Sequence, residues 1–289
     1  MIDIGRVFST SIAMLRQRFW LLLGMLVVFF AIQMAASTVL SVGLVVIGMA
    51  GALGLGAGLE DPAALGGLGI GFLVFFALFY AAYVVLLLAQ QAAMVALASP
   101  LEEPAFGTAM MRGFRSALPF FAISVILLFG YGLLTVAMLA AIGVSAAGGA
   151  SGGVIAIVLG LASMPLVIFL ACRFAVLVPV VAVDQVFNPI AALRRSWSVT
   201  RGKVLRILLT LVCFVGASLV MLGVPMALVF AIAYAGQDST AVSVTAVIIG
   251  FLLFIPLTVV FAIFTSTFTA ALHCEVTGGG TEQLEAVFA

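Results

Sequence analysis

Charge is what this sequence has least of. Asp, Glu, Lys and Arg make up 7% of its 289 residues, with a single lysine, Lys203, and a single histidine, His273. A soluble domain carries about 25% charged residues, so this chain cannot cover a water-facing surface. The three cysteines, Cys172, Cys213 and Cys274, lie far apart in or beside apolar runs. That spacing supports neither a zinc site, a redox motif nor a disulfide framework, and reads as three small buried hydrophobes. His273-Cys274-Glu275 joins three metal-capable residue types, but neighbours on a helix point in different directions, so no metal or other cofactor is expected. His273 has no serine or cysteine partner at a readable spacing, and no catalytic residue is assigned. The glycine-rich stretches "GALGLGAG" and "TGGG" lack the strand-to-helix context of a phosphate loop, and "GKV" at 202–204 lacks the Ser or Thr that must come after the lysine. These read as turns and links.

What is present is apolar. Hydrophobic residues reach 66% and the mean hydropathy is +1.43, which indicates an all-α integral membrane protein forming one membrane domain over 1–289. Six stretches can each span a bilayer, near 20–48, 70–98, 117–143, 154–183, 204–235 and 241–273. Apolar runs of this length favour helices over barrel strands, because backbone polar groups in lipid must be satisfied internally. Pro165, Pro179, Pro225 and Pro256 fall inside them and are expected to bend or locally break the helices. The first stretch comes after Arg16 and Arg18 and runs past residue 45, which reads as a retained span rather than a cleaved leader.

The connections alternate in character. Segments 49–69, 144–153 and 236–240 hold Glu60, Asp61 and Asp238 but no Lys or Arg. The N-terminus, 99–116 and 184–206 hold Arg6, Arg16, Arg18, Arg112, Arg115, Arg194, Arg195, Arg201, Lys203 and Arg206, every basic residue except Arg173. The positive-inside rule places this set, and with six spans both termini, in the cytoplasm. A bacterial cytoplasmic or inner membrane is the expected location.

Within the last basic segment, "FNPIAALRRSWSVTRG", Asn188 is a good N-cap, Pro189 suits the first helical turn and Gly202 can end the helix. Ile190, Leu193 and Trp197 recur on one face, with Arg194, Arg195, Ser198 and Arg201 on the other. This pattern predicts a short amphipathic helix on the cytoplasmic surface, with Trp197 at headgroup depth. "DIGRVFSTSIAMLRQRFW" and "EEPAFGTAMMRGFRSALP" repeat the same plan, with an acid first and arginines last. The chain therefore divides into three units, 1–98, 99–186 and 187–289, each a surface helix and then two spans. Arg112, Arg115, Arg194, Arg195, Trp197, Arg201 and Lys203 form the expected interface for anionic headgroups, each arginine adding about 1 kcal/mol of attraction. At a membrane boundary, lipid or a membrane protein partner accounts for these charges and nucleic acid does not.

Residues 173–207 resemble the signature of the membrane domain named for glycerophosphoryl diester phosphodiesterases, and of its stand-alone relatives. The resemblance is carried by Arg173-Phe174, Pro179, Asp184, Ala192-Leu193, Arg195-Ser196-Trp197, Thr200 and Gly202. It implies a six-span membrane domain. It does not imply hydrolysis, which in the fused enzymes belongs to a separate barrel domain rich in histidines and metal-binding carboxylates. With one histidine in these 289 residues, no enzyme activity is expected.

Arg173 stands about 10 residues from the inner end of the fourth span, roughly 15 Å deep. A charge at that depth costs about 2.5–3.5 kcal/mol on insertion scales, so the guanidinium must find a polar partner. Gln90, Gln91 and Ser266 lie at matching depth and complete a candidate intramembrane polar site, with a helix-break carbonyl near Pro179 or a bound headgroup as the other expected partners. The Thr265-Ser266-Thr267 run can also bond its own helix. These residues are compatible with two functions. One is a non-catalytic protein that organises lipids or partner proteins at the cytoplasmic face. The other is a transporter or lipid-handling protein with its polar site around Arg173.

Overall fold

The computed structural model describes residues 2–54, 62–101, 104–146, 150–236 and 239–278. Among these it is all-helical, and six helical segments are long and apolar enough to cross a membrane: Ile4–Val45, Leu73–Leu97, Phe106–Ala140, Gly160–Ala182, Val204–Ala235 and Val244–Val276. The elements are α1 (Ile4–Gly54), α2 (Pro62–Leu97), α3 (Phe106–Ala146), α4 (Ala150–Phe174), α5 (Leu177–Ala182), α6 (Pro189–Val199), α7 (Val204–Ser218), a π-helical turn (Leu219–Gly223), α8 (Val224–Ala235) and α9 (Thr240–Val276). Glu60, Asp61 and Asp238 lie outside the described residues.

The prolines act unequally. Pro165 and Pro256 sit inside continuous helices. Pro225 comes just after the π-helical turn. A proline lacks the N–H that the helix would use and crowds the carbonyl four residues back, and one wider turn relieves both problems. Ahead of Pro179 the fourth span breaks between Phe174 and Leu177.

Of the three segments expected as surface helices, only 189–199 is a separate helix, α6, among the described residues. The first is the leading part of α1, marked off by a kink where Arg18 leaves helical geometry (φ −115°, ψ 16°). The second runs without interruption into the span of α3. The difference lies in the residues just beyond the arginines. After α6, Gly202 takes a left-handed conformation (φ 75°) that L side chains resist. After Arg115 the chain reads Ser-Ala-Leu-Pro without a glycine, and α3 continues through Pro119.

Burial is concentrated at the end that carries the basic residues. Leu22, Met25 and Phe29 of α1, Ala92–Ala98 of and after α2, Phe120 and Ile123 of α3, Val180–Ala182 of α5 and Ile263–Leu272 of α9 supply the core. Among the described residues, the other halves expose large apolar side chains such as Leu73, Leu78, Val154, Leu161, Phe251 and Leu252. Lipid tails are as apolar as leucine, so helix pairing in a membrane rests on close packing and polar contacts. The α2–α3 pair shows the first of these. Ala89 and Ala93 face Ala109, Gly113 and Ala117, all at four-residue spacing and all in the core. A Cβ on Gly113 would come within 2.5 Å of the Ala89 carbonyl oxygen and 2.6 Å of the Ala93 Cβ.

Candidate functional site

Arg173 is buried, with 9% of its surface exposed, at the end of α4. Its partners are on and just after α6. Nη1 donates to the Trp197 carbonyl (2.9 Å) and lies 3.4 Å from Thr200 Oγ1. The guanidinium packs over the rings of Trp197 (4.5 Å) and Phe169 (5.1 Å), and Nε is buried without a hydrogen-bond partner. In return Ser196 Oγ donates to the Arg173 carbonyl (2.7 Å), one of the last four carbonyls of α4, which a helix end leaves without an intrahelical donor. Among the described residues, Arg173 bonds neither Gln90, Gln91 and Ser266 nor a carbonyl near Pro179, the expected protein partners. Beyond α5, the connection 183–188, where Gln185 takes φ 55°, leads to α6, which lies against the end of α4. That sets the Trp197 carbonyl, near the end of α6, within hydrogen-bond distance of Arg173.

α6 itself forms for the reasons legible in its sequence. Asn188 Oδ1 accepts from the N–H groups of Ile190 (3.0 Å) and Ala191 (3.2 Å), and Pro189 occupies the first turn. The buried stripe is Ala192 and Ser196, small residues that allow a close approach. Leu193 is half-buried, while Ile190 and Trp197 remain 58% and 40% exposed. Arg194, Ser198 and Arg201 are exposed.

Asp184 holds α6 from the other side. Its Oδ2 lies 3.6 Å from Arg195 Nε, and its Oδ1 lies 3.5 Å from Nε2 of the fully buried His273 on α9. The next residue, Gln185, adopts φ 55°, a conformation uncommon outside glycine. The Asp184–His273 pair was not visible in the sequence. The two positions are far apart, and no local spacing links them.

The remaining candidates separate into two groups. Gln90, Gln91 and Ser266 come together, with Thr265 and Thr269, along a cavity of about 400 Å³ between α2 and α9 that Arg173 does not line. Gln33 of α1 donates to Gln90. Of the expected headgroup interface, Arg115 is exposed and Arg112 half-buried on α3. Lys203 Nζ donates to the Val276 carbonyl at the end of α9 (2.6 Å). Arg18, buried at the kink of α1, donates to the Leu97 carbonyl at the end of α2 (2.9 Å). Arg6 pairs with Glu275 (2.7 Å), joining the start of α1 to the end of α9. Three cations of the basic end, Arg18, Arg173 and Lys203, thus occupy helix C-termini, where the dipole and the unpaired carbonyls favour positive charge.

The three cysteines are free, and no group of three or more His, Cys, Asp or Glu side chains among the described residues is placed to hold a metal ion. The cluster around Arg173 offers hydrogen bonds and charge, with each carboxylate and carbonyl contact made to another helix. No family model, curated protein or solved structure matches the chain.

Proposed function

We propose that this is a non-catalytic multi-pass membrane protein that organises anionic lipids, and partner proteins held with them, at the cytoplasmic face of a bacterial inner membrane, with both termini inside. One observation carries the reading. α6 is pinned from within by Arg173, Ser196 and Asp184, while Arg194 on it and Arg201 just after it stay exposed without an ion pair among the described residues. A short helix fixed in this way presents its charges at little entropic cost, and juxtamembrane arginines attract anionic headgroups by about 1 kcal/mol each.

The membrane-domain resemblance fits the same picture. Arg173, Asp184, Arg195, Ser196, Trp197 and Thr200, which carry it, are the residues of the α4–α6 junction.

Purification in native lipid, with mass spectrometry of the co-purified lipids, tests the proposal. The wild type is expected to retain phosphatidylglycerol or cardiolipin, and the Arg194→Gln/Arg201→Gln double variant to retain on the order of tenfold less. Equal retention by the two proteins would overturn it. The cavity between α2 and α9 favours a second reading, a lipid-handling protein whose polar site lies at Gln90, Gln91 and Ser266, apart from Arg173.

A further inference from the structure

The cavity between α2 and α9 has a composition that selects among ligands. Its polar wall is uncharged: Gln90 and Gln91 from α2, and Thr265, Ser266 and Thr269 from α9. The three hydroxyls donate to carbonyls of their own helix, Thr265 to Phe261 (2.9 Å), Ser266 to Ala262 (3.0 Å) and Thr269 to Thr265 (2.8 Å). Their protons are committed, and their oxygens remain as acceptors. The glutamines supply donors. Gln90 uses its carbonyl oxygen to accept from Gln33, which leaves its NH₂ without a hydrogen-bond partner among the described residues. Gln91 is exposed and has neither amide atom bonded there. The cavity therefore offers amide donors on one side and hydroxyl acceptors on the other, with no ionic group between them. Leu87, 42% exposed, stands on its rim, and Phe261 continues the apolar wall.

We infer that this cavity binds the uncharged glycerol-ester region of a membrane lipid with a free hydroxyl, a diacylglycerol or monoacylglycerol. The amides of Gln90 and Gln91 donate to ester carbonyls. The oxygens of Thr265, Ser266 and Thr269 accept from the lipid hydroxyl. An acyl chain leaves past Leu87 and Phe261 into the bilayer. A phosphate or carboxylate is disfavoured, because the lining holds no cation and an unpaired ion at membrane depth is costly. A volume of about 400 Å³ lies within the range of small-molecule pockets. This site is separate from the basic face of α6 and goes beyond the proposed headgroup binding.

The test uses the full chain in nanodiscs and a diacylglycerol carrying a photoactivatable group on one acyl chain, with adducts mapped by mass spectrometry. Adducts are expected in 84–95 and 258–269. Excess dioleoylglycerol should suppress them, whereas glycerol, or a fatty-acid methyl ester lacking the hydroxyl, should not. Gln91→Leu and Thr265→Val each remove one polar partner at positions whose loss leaves no buried group unpaired. Together they should lower labelling about tenfold with an unchanged melting temperature. Arg194→Gln/Arg201→Gln should leave labelling intact, so failure here and failure of the headgroup proposal are separable. Equal suppression by the methyl ester would reduce the site to a greasy surface. Equal suppression by phosphatidylglycerol would show that charge is not selected against, and either result overturns the inference. If the double variant does not fold, the competition series on the wild type decides alone.

Discussion

Arg173 Nη1 and the carbonyl oxygen of Trp197 lie 2.9 Å apart, joining the end of α4 to the end of α6. Trp197 also lays its ring against the guanidinium, so one arginine meets both the backbone and the side chain of the same residue. The same use of charge recurs in Arg18 with Leu97 and in Lys203 with Val276. In each pair a cation takes up a carbonyl that its helix could not satisfy.

If Arg173 is a structural hub, Arg173→Leu should destabilise the fold by about 2–4 kcal/mol, combining a charged hydrogen bond and a desolvated cation–π contact. Arg173→Lys should recover part of this. Denaturant unfolding in detergent measures the loss, and lipid analysis of the folded fraction should show unchanged anionic lipid. A stable Arg173→Leu protein that has shed its anionic lipid would identify a ligand contact instead.

Gly113→Ala should cost about 1–3 kcal/mol, because the added methyl meets the backbone of α2 rather than a movable side chain. Gly107→Ala is the control, since nothing lies within 4 Å of its Cβ position. It should be neutral or slightly stabilising. Equal melting temperatures for the two variants would mean that α2 and α3 do not pack as described.

Asp184→Asn removes the charge that Arg195 faces and weakens the contact with His273. Amide hydrogen exchange in 189–199 should rise while exchange in 263–272 stays slow. Gln185→Gly should act in the opposite direction, relieving a left-handed backbone and adding a few tenths to about 1 kcal/mol of stability. Unaltered exchange in Asp184→Asn would show that α6 is held by Arg173 and Ser196 alone.

Orientation is open to single-cysteine labelling in a cysteine-free background. Ser239→Cys, between α8 and α9, should react with an impermeant reagent from outside. Arg194→Cys should react only after the membrane is opened. The reverse pattern would invert the proposed topology.

Several features were legible along the chain. The six apolar runs, the segregation of arginine to alternate connections, and the Asn188-Pro189 start of α6 depend on neighbours within a turn or two. Local composition is sufficient for such features. The stop at Gly202 was equally local, because only glycine takes that backbone conformation freely. The continuity of α3 was not legible in this way, because Pro119 stands four residues after Arg115 and the helix still runs through it.

The partners of the charges were not legible. An arginine near a membrane boundary can meet a lipid phosphate or an orphan helix carbonyl with the same donors, and its sequence position does not distinguish them. Packing decides. The connection after α5 carries α6 back against Arg173. The small residues Ala89, Ala93 and Gly113 let α2 and α3 approach until their backbones nearly touch. The chain's own order placed the charges at one end of the molecule. The tertiary structure assigned Arg18, Arg173 and Lys203 to closing helices and left Arg194 and Arg201 exposed, because a buried carbonyl without a donor costs more than a solvated arginine gains.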